Sequence, residues 1–351
     1  MTAKLILRGL PTLALLLLAL FFAPQTFAAI QLTPEMSGLP ISSDMQVIED
    51  PERFFTLNEL LSKEWPEARI TGTGSNTVKG MSRSAWWVML EVENASNSSI
   101  NWVLEAVHPH TDYLDLYHIN AQGVITEVLT GDKRPFSQRP IAAETFAFPI
   151  VTSAHSKEKL VLRYAYHDIG MIELLSRIWD PASYQENRET NYYLYGALLG
   201  AALVVILFNL IIHIPTRLPV FYWYLGYLSC AVLVFIANTG LGHRFFWHDS
   251  SYLTNSAHIL LLACVFGFAV QFNRTFLHTK QLMPRADRLL QLLLGLTIIS
   301  ALCDLIGYRD LAVNLLFITG FSLAIMPLIG LWAWKVLKRT EARWYVIAWS
   351  V

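Results

Sequence analysis

Cysteine is scarce in this chain of 351 residues, and its three copies, Cys230, Cys264 and Cys303, all lie in the second half. The segment from residue 29 to 190 therefore has no disulfide to stabilise it, although it is long enough to bury a hydrophobic core of its own. Because the three cysteines form no Cys-x-x-Cys pair, we interpret them as packing residues rather than as zinc or redox ligands.

Charged residues are also scarce, at 15% of the chain against about 25% in soluble domains. Hydrophobic residues reach 54%, which excludes a disordered chain and argues against a purely soluble one. Residues 29–190 hold 13 basic and 22 acidic residues, a net charge of −9, whereas residues 191–351 hold 11 and 5, a net charge of +6. The acidic segment lacks the basic surface that nucleic acids require, so we expect no nucleic-acid partner.

The first 28 residues have the pattern of a secretory signal peptide. Lys4 and Arg8 precede an apolar run from Leu10 to Phe22, and small residues at Thr26 and Ala28 fit a cleavage site after Ala28. The alternative is an uncleaved membrane anchor. Either interpretation predicts that the segment after residue 28 is exported.

Residues 29–182 are predicted to form an all-β domain with the fold of a β-sandwich. Large apolar residues occupy every second position from Trp86 to Val92, which is typical of a strand with one buried face. Similar short runs, separated by turn residues, follow along the chain. They cover residues 100–107, 113–119, 124–129, 146–150, 160–164 and 172–179. A short helix is predicted near Leu57 to Leu61, and residues 183–190 are predicted to link the sandwich to the next segment.

Residues 191–351 are predicted to form a multi-span helical membrane domain, because a spanning helix needs about 20 mostly apolar residues. Five complete spans fit, at Tyr192–His213, Pro219–Asn238, Asn255–Phe272, Leu289–Tyr308 and Leu311–Trp334. A sixth begins near Trp344, and we expect it to be incomplete at residue 351, because eight residues cannot cross a bilayer.

The distribution of basic residues gives the orientation. If residues 29–190 are outside, the loops that should be cytoplasmic hold nine basic residues: Arg217, Arg274, Lys280, Arg285, Arg288, Lys335, Lys338, Arg339 and Arg343. The outside connections hold three, Arg188, Arg244 and Arg309. This asymmetry obeys the positive-inside rule without using the signal peptide, so two independent signals agree.

A family resemblance comes from motifs in a fixed order. They are Trp86-Trp87, Asp115-Leu116-Tyr117, Gly131-Asp132, Arg134-Pro135-Phe136, Arg139, Leu162-Arg163, Tyr195-Gly196, Phe208-Asn209-Leu210 and Phe221-Tyr222-Trp223-Tyr224. The chain resembles the bacterial seven-transmembrane receptors with diverse intracellular signalling modules (7TMR-DISM), with an extracellular domain of the second type. The resemblance implies a jelly-roll-like sandwich related to carbohydrate-binding modules, seven spans and a cytoplasmic output domain, commonly a GGDEF diguanylate cyclase or a histidine kinase. The sequence departs from that pattern at its end. The family pattern has a complete sixth span, a seventh span and an output module there, and residues 1–351 do not include them.

Active-site motifs are missing: the sequence has no HExxH, GxSxG, P-loop, GxGxxG or GGDEF string. We therefore predict no catalytic residue, no cofactor and no metal site within these residues. His108, His110 and Asp112 cluster at a strand end and could suit a metal, but we favour a solvated loop beside Pro109. Asp112 and Asp115 fall well short of the roughly 6–8 oxygens that Ca²⁺ takes.

Ligand-binding candidates are aromatic or basic. Trp87, Tyr113 and Tyr117 could stack on the apolar faces of sugar rings, with burial in the core as the alternative. Arg134 and Arg139, beside Lys133, could meet an anionic ligand. Internal pairing with acids such as Asp132 and Glu144 is the alternative that we favour for them.

Four polar residues fall within the predicted spans: Asn209, His213, His258 and Asn314. Because polar groups in lipid are costly, we expect them to face the bundle interior, as a polar relay or ligand pocket or as interhelical hydrogen bonds. For Asn209 we favour the hydrogen bond.

Together these patterns predict a signal-transduction receptor in a bacterial inner membrane, with its N-terminal domain in the periplasm. The expected partners are the lipid bilayer, a periplasmic small molecule or glycan, a cytoplasmic signalling module or partner, and a second copy of the chain. Pro181–Thr190 is the candidate coupling element between the two domains. The alternatives are the sensor half of a diguanylate cyclase or histidine kinase, and a transporter or export subunit with a periplasmic recognition domain.

Overall fold

A computed structural model describes residues 29–41, 45–62, 77–247 and 250–350. Residues 30–179 form a β-sandwich, and helices follow from residue 181 to residue 350. The predicted fold class, an all-β domain followed by a helical bundle with spans long enough for a membrane, is confirmed. The predicted signal peptide, residues 1–28, lies outside the described residues.

The sandwich has two main sheets and a small third one. Its strands are β1 (Ile30–Gln31), β2 (Leu39–Pro40), β3 (Gln46–Asp50), β4 (Val78–Ser82), β5 (Ala85–Asn94), β6 (Ile100–Ala106), β7 (Tyr113–Ile119), β8 (Ile125–Thr130), β9 (Phe146–Thr152), β10 (Ser156–Ala165), β11 (Gly170–Glu173) and β12 (Ser176–Trp179). The first sheet has the order β1-β5-β10-β7-β8, with β3 also paired to β5. The second has the order β2-β12-β6-β9, and β4 pairs with β11. From β5 to β7 the chain crosses from one main sheet to the other and back.

The core lies between the two main sheets, where the period-two pattern places its apolar residues. On β5, Trp86, Val88 and Leu90 point inward and are buried. They meet residues of the second sheet such as Trp102, whose indole Nε1 donates to the Thr152 hydroxyl at 3.0 Å. Burying one large apolar side chain contributes about 1.5–3 kcal/mol, so this cluster is the main source of stability.

The outer face of the first sheet is covered as well, by helix α1 (Leu57–Ser62). Leu60 packs there with Ile48, Trp87 and Val161 in a second small core. The short helix predicted near this position is confirmed. The expectation of only one buried face on β5 is wrong, because α1 folds back over the strand.

We predict that the sandwich folds without the helices, because its core is complete between its own sheets. Residues 29–182 expressed alone should give a soluble monomer with a β-rich circular dichroism spectrum. Its urea midpoint should not change when a reducing agent is added, because these residues contain no cysteine. A helical spectrum, or insolubility under all conditions, would contradict the prediction.

The helical part begins at Pro181 and contains nine helices among the described residues. They are α2 (Pro181–Thr216), α3 (Pro219–Asn238), α4 (Leu241–Phe245), α5 (Ser251–Phe276), α6 (Thr279–Leu282), α7 (Pro284–Leu305), α8 (Arg309–Gly320), α9 (Ser322–Lys335) and α10 (Glu341–Ser350). Five segments are long and apolar enough to cross a bilayer: α2, α3, α5 from Ser256, α7, and α8 with α9. Each of these segments overlaps one of the five spans predicted from the sequence.

Helix α2 joins the two parts directly. Asp180 caps it, since one carboxylate oxygen accepts from the backbone N–H groups of Ala182 and Ser183 at 3.1 and 3.0 Å, and Pro181 occupies the first helical position. The helix then runs without interruption to Thr216. The predicted helical link between sandwich and first span is thus present as the first turns of that span.

Helix α5 is central in the bundle, where it packs against α3, α7, α8 and α9. Helix α2 lies at the edge and packs mainly on α3, and none of its apolar stretch is buried inside the protein. The last described helix, α10, packs on α9 through Tyr345. On one side of the bundle, the ends of α3, α5 and α8 meet the sandwich together with parts of α2 and α4.

Candidate functional site

The sandwich rests on the helices at a junction built around Glu144. This carboxylate is buried, and one of its oxygens accepts hydrogen bonds from the hydroxyl of Tyr192 on α2 and from Arg244 on α4, the latter at 3.4 Å. Arg188 on α2 also donates to the backbone carbonyl of Ala142 at 3.0 Å. One sandwich loop therefore contacts two separate helices through charged and polar groups.

Two further contacts complete the junction. The His110 ring lies 3.2 Å, through Nε2, from the carbonyl oxygen of Asn238 at the end of α3, and 6.1 Å from the His258 ring on α5. Arg83 pairs with Asp310 at the start of α8. The sandwich therefore also contacts the end of α3, the first part of α5 and the start of α8.

A cavity of about 410 Å³ lies inside the junction. From the sandwich it is lined by Met81, His108, His110, Asp112, Asp132, Tyr166, Ile169, Gly170 and Met171. From the bundle it is lined by His258, Ile259, Leu262, Phe266, Arg309, Val313, Leu316, Phe317 and Gly320. Its size falls within the range of ligand pockets, roughly 300–1,000 Å³.

The polar end of the cavity is a network of histidines and acids. Nδ1 of His108 lies 3.2 Å from a Glu173 oxygen, and Nδ1 of His110 lies 3.4 Å from an Asp132 oxygen. Asp112 is buried and accepts from the backbone N–H of His167 at 2.8 Å. Burial raises the pKa of the Asp112 carboxyl above its usual value.

These positions correct the expectation of a solvated loop at residues 108–112. The loop is covered by the helices, so that the His108 side chain is 18% exposed and the Asp112 carboxyl is buried. Among the described residues, no group of three or more His, Cys, Asp or Glu is arranged to hold a metal ion. The cluster is therefore a buried polar surface of the cavity.

We predict that the junction weakens at acidic pH because of His108. Burial lowers the pKa of His108 to about 4, and the neighbouring His110 and His258 on α5 lower it further. Asp132 and Glu173 also lie nearby, and they favour the charged form of His108. The unfolded chain takes up this proton near pH 6.5, so stability is lost as the pH falls from there towards 4.

The free energy of opening residues 107–112, measured by hydrogen exchange in the full chain, should fall by about 2 kcal/mol between about pH 7 and pH 5. His108→Gln, which cannot be protonated, should remove most of that dependence. His155→Gln, at an exposed histidine remote from the cavity, is the matched control and should leave it intact. The prediction fails if His108→Gln retains the full pH dependence.

The aromatic ligand candidates are less accessible than expected. Trp87 is 2% exposed, stacked on Tyr117 at 6.2 Å, and its indole Nε1 donates to Asp50 at 3.3 Å. Of the two alternatives for Trp87, the structure shows burial: it lies in the small core under α1. Tyr113 and Tyr117 are half-buried, and Arg134 lies over the Tyr113 ring at 5.2 Å. Sugar binding at these residues stays a prediction.

The basic candidates have partners inside the sandwich. Arg134 pairs with Asp115. Arg139 is buried, with Nη2 at 3.0 Å from Asp132 and Nη1 donating to the carbonyl oxygens of Ala143 and Glu144. This is the internal pairing that the sequence analysis favoured over an anionic ligand. Burial lowers the pKa of Arg139 below its usual value, and Asp132 opposes that shift.

The intramembrane polar residues occupy different surroundings. His258 faces the interior and lines the cavity. The Asn209 amide donates to the carbonyl of Val205, one turn earlier on its own helix, at 2.8 Å, so the predicted hydrogen bond lies within the helix rather than between helices. His213 is half-buried, and Asn314 is exposed on α8. The expectation that Asn314 faces the bundle interior is corrected, because no described helix covers that face.

Sequence reasoning singled out five of the cavity residues and grouped three of them, His108, His110 and Asp112, but it did not bring Asp132 and His258 to that group. It missed Arg244 and Arg309 at the junction, which it treated only as outside charges. The available signal for these two residues was their position: both are basic and lie at the predicted outer ends of spans, next to an exported domain that is acidic. Pairing between these positions depends on the docking of the two domains, which no local pattern reports.

Comparisons with known families gave two matches. A family model described as 7TMR-DISM extracellular 2 matches residues 42–180. A second, described as 7TM diverse intracellular signalling, matches residues 191–351. No curated protein matches the chain. The two matched segments coincide with the sandwich and the helical bundle.

Proposed function

Since the chain belongs to the 7TMR-DISM receptors and is a multi-pass membrane protein with an extracellular domain, we propose that it carries a signal from its sandwich to the cytoplasmic ends of its helices. The proposed location is a bacterial inner membrane with the sandwich in the periplasm. The signal would pass to a cytoplasmic signalling module or partner. The proposed roles of the sandwich and the helical bundle are to bind a ligand and to relay the signal across the membrane.

The observation that carries this proposal is the double attachment of the sandwich to the bundle. Helix α2 continues without interruption from the sandwich into the first span, and Glu144 contacts both α2 and α4 through Tyr192 and Arg244. A ligand can shift the bundle only if the two states of the bundle hold the sandwich differently. A buried carboxylate shared between two helices provides such a difference, because its partners must change when the helices move.

The test is hydrogen exchange in the full chain with Glu144→Ala, measured at residues 277–288, on the side of the bundle opposite the sandwich. If the domains are coupled, losing this contact should change exchange there by at least about fivefold. Glu127→Ala, at an exposed glutamate on β8 away from the helices, is the matched control and should change nothing. Equal exchange in both variants and the parent chain would overturn the proposal.

The proposed orientation has its own test. Alkaline phosphatase fused after Ala182 should be active, because the enzyme folds only outside the cytoplasm, and a fusion near Lys280 should be inactive. The nine-to-three distribution of basic residues and the contacts of α3, α5 and α8 with the sandwich support this arrangement. The reverse pattern of activity would overturn the orientation and the proposed direction of signalling.

A further inference from the structure

Two of the three cysteines face each other inside the helical bundle. Helices α3 and α5 run antiparallel, because the end of α3 and the first part of α5 both meet His110 of the sandwich. Further from the sandwich, Gly226 on α3 lies against Phe268 on α5, so close that a Cβ on the glycine would be 2.5 Å from the ring. One helical turn nearer to the sandwich, α3 carries Cys230 and α5 carries Cys264. The register of the two helices therefore places these cysteines opposite each other.

The two thiols are also in direct contact. Both are free, and one donates a hydrogen bond to the other. A disulfide needs Cα atoms that are about 4.4–6.8 Å apart, which requires two helices in close contact. Gly226, one turn away, has no side chain to hold the helices apart. No Cys-x-x-Cys spacing marks this pair in the sequence, because its members come from two different helices.

The surroundings favour a disulfide over a metal ion. Cys230 lies eight residues before the end of α3 at Asn238, or about 12 Å, and both cysteines lie within membrane-spanning segments. Metal binding by two cysteines requires thiolates, and bringing charged groups into apolar surroundings is costly. A disulfide carries no charge, so it is the product of this pair that suits the interior of a membrane.

The position of the pair also decides which kind of oxidant can reach it. Cys264 is exposed at the surface that the described helices leave open, and Cys230 is half-buried beside it. Because this surface belongs to membrane-spanning helices, a charged, water-soluble oxidant is excluded from it by the cost of leaving water. Forming a disulfide releases two electrons. The oxidant must therefore be an uncharged, lipid-soluble molecule that accepts two electrons, which is the chemistry of a quinone.

We propose that Cys230 and Cys264 form a redox site that a membrane quinone oxidises to a disulfide. The two S–H bonds break and one S–S bond forms, while two electrons and two protons pass to the quinone oxygens and give the quinol. The disulfide ties α3 to α5, the two helices that meet at His110. In making the quinone a stimulus for the receptor, the inference rests on the proposed function. Formation of the disulfide does not depend on signalling, so the two are tested separately.

The probe is decylubiquinone, added without oxygen and with a metal chelator to the reduced full chain in phosphatidylcholine nanodiscs. After denaturation in acid and labelling with N-ethylmaleimide, the oxidised chain should carry one maleimide instead of three, and peptide mapping should show Cys230 linked to Cys264. Oxidised glutathione, which is charged and stays in water, should react at least about tenfold more slowly. Equal rates would overturn the membrane quinone, and three free thiols after decylubiquinone would overturn the site.

Matched variants test the assigned pair. Cys264→Ala combined with Val265→Cys keeps three thiols but turns one of them about 100° around α5, so the linked peptide should be lost. Cys303→Ala, at the buried cysteine on α7, should still form it at the rate of the parent chain. Should the double variant lose its helical circular dichroism, the nearly isosteric Cys264→Ser provides the comparison and should keep both remaining thiols free. Oxidation of the turned thiol at the parental rate, or loss of the reaction in Cys303→Ala, would overturn the pair.

Signalling is measured by hydrogen exchange at residues 277–288. Oxidation of the parent chain should change exchange there by at least about fivefold. If the disulfide forms but neither oxidation nor Glu144→Ala changes this exchange, the redox site stands and the proposed function fails. If Glu144→Ala changes the exchange but no disulfide forms, the proposed function stands and the redox site fails. If Glu144→Ala alone changes it although the disulfide forms, the quinone is overturned as a stimulus.

Discussion

Replacing Arg139 by alanine should lower the free energy of unfolding of the sandwich by about 3–5 kcal/mol, because it leaves a buried carboxylate without its main partner. The Arg139 side chain is 2% exposed and that of Asp132 is 4% exposed, and their closest atoms are 3.0 Å apart. The guanidinium also lies over the Phe146 ring at 4.1 Å. Urea unfolding of residues 29–182, followed by tryptophan fluorescence, measures the loss.

A double variant separates the charge from the packing. Arg139→Met with Asp132→Asn removes both charges and should lose less than the sum of the two single variants, because no buried charge remains unpaired. Lys159→Ala removes an exposed partner of Glu91 and should change stability by no more than about 0.5 kcal/mol. A loss below about 1 kcal/mol in Arg139→Ala would show that solvent reaches Asp132.

Arg139 also shows what a sequence can and cannot reveal about a charged residue. Its neighbours in the chain, Asp132 and Glu144, made internal pairing the favoured interpretation, because they lie within one loop. Trp87 was harder to place. Period two assigned it correctly to the face opposite Trp86, but the helix that covers that face comes from residues 57–62, far away in the chain.

The membrane part was predictable for a different physical reason. Each span is a continuous apolar run set by the thickness of the bilayer, so five segments could be located from composition alone. The cavity was not predictable in this way. His258 and Arg309 are more than fifty residues apart, and both are about 150 residues or more from His108, so only the docking of sandwich on bundle brings them together.

Replacing Gly131 by alanine should cost about 2–5 kcal/mol, since backbone strain and a steric clash act together. Its φ is +135°, a conformation that L side chains rarely adopt, and a Cβ there would lie 2.2 Å from the backbone oxygen of Asp112. This close approach lets the Asp132 N–H donate to the carbonyl of Thr111 at 2.8 Å and the Lys133 N–H to that of Asp112 at 3.1 Å. The glycine therefore holds the two loops that supply the acids of the cavity.

Gly123→Ala measures the cost of backbone strain without a steric clash. Gly123 also has a positive φ, +77°, but a Cβ there would meet nothing within 4 Å, so its substitution should cost only about 1–2 kcal/mol. Urea unfolding of both variants gives the comparison, and hydrogen exchange of residues 107–112 in the full chain should rise in Gly131→Ala alone. If the two variants are equally stable, the loops can separate without loss, and the polar end of the cavity is then not fixed by this contact. If Gly131→Ala is the less stable one, the acids and histidines of the cavity are held in place by the sandwich itself, before the helices dock.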